Sequence, residues 1–124
     1  MKTERQIIFY GHYFLDFYLE QTAKVQEKIE YILKVIKTVV RVPEKFLKHL
    51  EGTDGLYEIR VEFESNMYRI FCCFDQDALV VLFNSFQKKT KKTPKQELAL
   101  AKKLKNDYFK LKGGFHEEER NKKS

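Results

Sequence analysis

Three strand-like stretches follow one another with almost no chain between them, and this limits the possible folds more than any other feature of the sequence. They are LYEIRVEF (56–63), MYRIFCCF (67–74) and ALVVLFNSF (78–86), separated only by ESN and DQD. Each is rich in the β-branched and aromatic residues that suit a pleated, half-buried surface. A parallel connection needs a crossover of about a dozen residues or more, so links this short permit only hairpins, and the spacing predicts an antiparallel three-strand meander. The third stretch has almost no polar residue before Asn84, the pattern of a well-buried strand.

The flanking segments supply the rest of the architecture. QIIFY (6–10) fits a first strand. From about Phe14 the period becomes helical, with Val25, Ile29, Ile32, Leu33, Ile36 and Val40 three and four residues apart over a long amphipathic helix that Pro43 ends. Residues 44–55, EKFLKHLEGTDG, are expected to hold one irregular helical turn and a loop. In TPKQELALAKKLKNDYFKLK, Thr93 is placed to cap, Pro94 suits the first helical position and Gln96 completes a capping box, while Leu98, Ala101, Leu104, Tyr108 and Leu111 form an apolar stripe. The glycines and charges of GGFHEEERNKKS predict a disordered tail. The expected fold class is therefore α+β: an antiparallel meander sheet with an N-terminal strand, helices packed on one face and a C-terminal helix. One domain spans residues 1–112 and the tail spans 113–124.

Of the 124 residues, 43% are hydrophobic, enough for a core, yet Lys and Arg outnumber Asp and Glu by 24 to 18. A formal charge of +6 on so small a body favours an anionic partner, nucleic acid first among them. The N-terminal apolar stretch is short and broken by His12 and Asp16, unlike a signal peptide, and no segment has membrane-spanning length, so a cytoplasmic protein is expected. Cys72 and Cys73 are neighbours on a strand with side chains on opposite faces, which predicts reduced thiols. His12, His49 and His116 lack metal-ligand spacing, and no P-loop or dinucleotide fingerprint is present, so neither a metal nor a nucleotide cofactor is indicated.

Alternation along the meander singles out one face. Tyr57, Ile59, Val61 and Phe63 look into the core, leaving Glu58, Arg60, Glu62 and Glu64 on the other side. A symmetric ESN turn pairs Glu64 with Met67, Glu62 with Arg69 and Arg60 with Phe71, which makes the two arginines diagonal neighbours within reach of one phosphate. A two-residue turn at Gln76 and Asp77 then brings Asn84 opposite Arg69 and Phe86 opposite Met67, with Lys88 following on the same face. The turn NSFQKKTKKTP adds Lys89, Lys91 and Lys92 at the rim. Planar arginines, an aromatic platform and a lysine fringe suit single-stranded RNA. Each part also has a plainer reading: a solvated loop for the lysines, a cross-strand pair with Glu62 for Arg69, a core position for Phe86 and a sheet-surface carboxylate for Glu58.

GLYEIR, NMYRIF and LFNSFQKKTKKTP, within the segment from Gly52 to Tyr108, resemble the RelE/HigB superfamily of toxins, and within it the phage-derived HigB-like branch. The resemblance extends over nearly the whole chain to about Phe109. It implies a small RelE-like fold and a ribonuclease that cuts messenger RNA in the ribosomal A site, checked by a cognate antitoxin that in this branch is a helix-turn-helix DNA-binding protein. It also implies metal-independent chemistry, in which the messenger's 2′-hydroxyl attacks the adjacent phosphorus. Arg60 and Arg69 fall where related toxins carry active-site basic residues, and Lys88, Lys89, Lys91 and Lys92 where relatives carry more. Glu58 and a lysine of that turn are the candidates for proton transfer, Tyr108 lacks a matching position, and Lys45 and Lys48 are candidates for ribosomal RNA contact, a solvated helix face explaining them equally well. Two other functions stay open: a catalytically inactive RNA- or ribosome-binding module of the same fold, and an adaptor docking an acidic protein partner.

Overall fold

The structure is a computed structural model that describes residues 4–123, with side chains described from residue 4 to residue 112. Its centre is the expected meander: β3 (Tyr57–Phe63), β4 (Asn66–Asp75) and β5 (Leu79–Lys88), each antiparallel to the next. β1 (Gln6–Phe9) adds to β5 in parallel and β2 (Leu47–His49) adds to β3 antiparallel, giving a five-stranded sheet of order β1-β5-β4-β3-β2. The irregular turn expected in this segment is present at residues 44–46, where the Phe46 and Leu47 amides donate to the Pro43 carbonyl, and β2 follows it where a loop was expected. Its short pairing with residues 57–59 covers part of an edge whose backbone groups would otherwise face water.

Helices cover both faces. Phe14 of α1 (Tyr13–Leu19) and Ile29, Ile32 and Ile36 of α2 (Ala23–Thr38) pack on Ile59, Val61, Tyr68, Ile70 and Cys72. The three isoleucines are fully buried, and burial of each stabilises the fold by about 1.5–3 kcal/mol, so α2 is held by its stripe rather than by helix propensity. The Thr22 side chain accepts from the Val25 amide and caps α2, which separates it from α1; α2 ends at Thr38, ahead of Pro43. On the opposite face, Phe71, Cys73, Val81, Phe83 and Phe86 meet Ala101 and Leu104 of α3 (Lys95–Lys123). The sequence did not assign the C-terminal helix a side. Its position follows from β4 and β5 being apolar on both faces, as FCCF and LVVLF show. The expected end of the domain at residue 112 and the tail from Gly113 fall where only backbone is described, as a continuation of α3, and the side chains there lie outside the described residues.

Register departs from the sequence reading in three places. Phe63 pairs with Asn66 across a turn at Glu64 and Ser65, both left-handed at φ 48° and 70°, so Arg60 lies directly opposite Arg69 rather than diagonal to it. The β4–β5 link holds Gln76, Asp77 and Ala78, one residue more than expected. A bulge then intervenes, with Cys72 paired to Leu82 but Ile70 to Ser85. Either one-residue offset alone would turn the end of β5 to the wrong face, but the two together restore it. Arg69 consequently faces Phe86 and Met67 faces Lys88, in place of the expected Asn84 and Phe86.

Candidate functional site

The end of the sheet that α3 leaves open is organised around a buried carboxylate. Glu58 is only 2% exposed, and its Oε1 accepts a 3.1 Å hydrogen bond from Arg60 Nε with Arg69 Nε 3.7 Å away. Arg60 and Arg69 are cross-strand partners, an arrangement in which like charges repel, and Glu58, two residues before Arg60 on the same face, supplies the countercharge. Arg69 is itself buried at 6% exposure, and its Nη1 donates to the Tyr68 carbonyl at 3.1 Å. Burial lowers its pKa below the ordinary arginine value, and Arg60 lowers it further against the pull of Glu58 and Glu62.

Lysines complete the cluster. Lys88 lies opposite Met67, one step along the face from the Arg69–Phe86 pair. Its pKa is lowered from 10.5, chiefly by burial and then by Arg69, with Arg60 and Lys48 adding to the effect and Glu58 opposing it. Lys48 is brought opposite Glu58 by the β2–β3 pairing, which the sequence reading of that segment did not contain. Lys48, Arg60, Arg69 and Lys88 thus gather around a single carboxylate. Glu58 Oε2 and Arg69 Nε have no hydrogen-bond partner, so the site holds both an unused acceptor and an unused donor.

Two grooves meet there. One of about 550 Å³ runs from Arg60, Arg69 and Met67 past Glu62 to Lys45 and Phe46 and to Lys28, Tyr31 and Ile32 of α2. It follows the edge of β3 beyond the last β2 partner at Ile59. The other, of about 510 Å³, is bounded by Lys88, Lys89, Thr90, Lys91 and the β3–β4 turn, and Met67 lines both. Lys45 also lies over the Phe46 ring at 4.9 Å. Lys92 is exposed and its carbonyl accepts from Thr90 Oγ1. A positively charged track of this kind has the chemistry to accommodate a polyanionic strand.

Of the residues anticipated from sequence, Glu58, Arg60, Arg69, Lys88 and Lys48 come together, and Lys45, Lys89 and Lys91 border the grooves. Asn84 and Phe86 have other commitments. Asn84, at the bulge, donates through Nδ2 to the Glu97 carbonyl and to Glu97 Oε1, and Phe86 packs on Phe71 with ring centroids 5.6 Å apart. Both anchor α3, and Phe86 stands beside the cluster as the cross-strand partner of Arg69. Tyr108 donates to Asp75 Oδ2 at 2.6 Å, at the far end of β4. Six residues of strand, roughly 20 Å, separate Asp75 from Arg69. Lys28, Tyr31 and Met67 escaped the sequence reading; the one available signal was a tyrosine off the apolar stripe of α2, where it is 55% exposed.

Among the described residues, no helix is long and apolar enough to cross a membrane. Residues 16–106 match the family model for phage-derived protein Gp49-like (DUF891). The matched span contains every residue of the arginine cluster. No curated protein matches the chain.

Proposed function

Because the chain belongs to the phage-derived Gp49-like family, a family of RelE/HigB-like toxins of toxin–antitoxin systems, we propose that it is the toxin of such a pair and acts as a ribosome-dependent endoribonuclease. The observation that carries this reading is the direct opposition of Arg60 and Arg69 around Glu58, with Lys88 coupled to both. The partners in this reading are messenger RNA, the ribosome and an antitoxin of the helix-turn-helix DNA-binding kind, in the cytoplasm.

In the proposed reaction the scissile phosphate sits between Arg60 and Arg69, with Lys89 extending the positive field. The 2′-hydroxyl attacks phosphorus, and Glu58, through its unpartnered Oε2, takes the hydroxyl proton. Charge accumulating on the phosphoryl oxygens is met by two guanidinium groups already in place, so little reorganisation accompanies the transition state. The bond from phosphorus to the 5′-oxygen breaks, and Lys88 gives that oxygen a proton. The products are a 2′,3′-cyclic phosphate and a 5′-hydroxyl. Lys91, Lys92, Lys45 and Lys48 hold flanking phosphates or ribosomal RNA, while Asn84 and Phe86 fix the floor of the site.

The Arg60–Glu58 hydrogen bond favours a second reading, in which the carboxylate stays bound to the arginines and the face holds RNA without cutting it. Primer extension on a messenger programmed on purified ribosomes separates the two. Discrete breaks with the wild-type protein, absent with a folded Arg69→Ala variant, are the expected result; intact messenger despite ribosome binding supports the second reading.

A further inference from the structure

The larger groove does not end at the arginines. Beyond them its wall changes from cationic to mixed, with Tyr31 and Lys28 of α2, Lys45 and Phe46 before β2, and Glu62 of β3. Tyr31 is a large ring with more than half its surface in water and, among the described residues, only the Lys28 ammonium, 5.4 Å from its centroid, as a ring contact. Glu62 is exposed, and among the described residues it carries neither a hydrogen bond nor an ion pair, although the arginines stand on its own face. A stacking platform and a carboxylate whose oxygens carry no hydrogen bond, in a groove of about 550 Å³ that the two arginines also line, have a shared use.

We infer that this end of the groove is a nucleobase pocket selective for guanine, with Tyr31 as the stacking surface and Glu62 as the reader of the base edge. The inference rests on the proposed RNA-cleaving function and assigns the specificity of the same site. Single-stranded bases are recognised by aromatic stacking and by hydrogen bonds to their Watson–Crick edges. A carboxylate only accepts, so it selects an edge with adjacent N–H donors. Guanine offers two, N1–H and the N2 amino group, in the parallel geometry that a carboxylate takes bidentately. Adenine and cytosine place a ring acceptor beside their amino group, which repels the carboxylate, and uracil has a single donor. The Lys28 or Lys45 ammonium is then the donor available for guanine O6.

Fluorescence anisotropy tests this with short labelled oligonucleotides made uncleavable by 2′-deoxy sugars and differing in one base. The wild-type protein is expected to bind the guanine oligonucleotide about tenfold more tightly than the adenine one, within the usual range for a bidentate base contact. Glu62→Gln should abolish that preference while retaining overall affinity, and Tyr31→Ala should weaken binding to all bases by about tenfold, with Tyr31→Phe restoring it. Both positions are exposed, and circular dichroism is the check that each variant folds. Binding without base preference, or a preference unchanged in Glu62→Gln, overturns the inference and leaves the cleavage reading standing. Failure of the wild-type protein to bind any oligonucleotide overturns the inference alone, because the cleavage reading is decided on ribosomes by the primer-extension experiment.

Discussion

Arg69 owes its position to two requirements that act on the same side chain. In the proposed reaction burial keeps competing water from its guanidinium, and that burial is tolerated because Glu58 is beside it. Replacing Glu58 by Gln leaves a buried cation uncompensated, and urea denaturation should show a loss of about 3 kcal/mol. Lys88 carries the corresponding prediction for pH. As general acid it must be protonated, and its lowered pKa means that the rate falls as pH rises through a value below 10.5. Lys88→Arg, whose guanidinium holds its proton, should keep the positive charge but lower the cleavage rate by about a hundredfold or more and remove that alkaline limb. At this scale the sequence was informative where alternation alone decides, as for Glu58, Arg60 and Arg69. It was uninformative for Asn84 and Phe86, because their partners Glu97 and Phe71 are set by where α3 docks, and tertiary contacts of that kind leave no local pattern.

The elements deliver these residues through their turns. Glu64 and Ser65 both adopt left-handed φ, which residues with a side chain reach only at a cost. Asn-Gly at 64–65 suits that turn, so the double substitution Glu64→Asn, Ser65→Gly should stabilise the protein by about 1 kcal/mol in thermal or urea unfolding without altering cleavage. The bulge between β4 and β5 has the opposite character, since its extra residue returns Phe86 and Lys88 to the arginine face. The meander itself was legible from loop length, whereas the extra loop residue and the bulge cancel in their effect on the face and could not be seen separately. The C-terminal helix is latched by Tyr108 and Lys112 onto the buried Asp75. Burial and the Asp75 carboxylate raise the Tyr108 pKa above 10.0, so the phenol is neutral in both states below pH 10; above it only the unfolded chain ionises, and stability is lost as pH rises. Tyr108→Phe should cost about 1–3 kcal/mol near neutrality and flatten that alkaline loss.

For the molecule as a whole, α1 and α2 on one face and α3 on part of the other leave one open corner of the sheet, and that corner holds the cationic cluster. The overall charge of +6 would draw RNA toward it from a distance, while the groove walls fix how a strand lies. The α+β class and the identity of the site face followed from periodicity. The strand β2, and with it the place of Lys48, did not, because a three-residue edge strand is stabilised by its neighbour and not by its own composition. The most direct test of the central claim, that Arg60, Arg69 and Lys88 hold a phosphodiester while its own 2′-hydroxyl attacks, is end-group analysis of a messenger incubated with ribosomes and this protein. A 2′,3′-cyclic phosphate and a 5′-hydroxyl at each break, both lost in a folded Arg69→Ala variant, are predicted; 3′-hydroxyl and 5′-phosphate ends would contradict it.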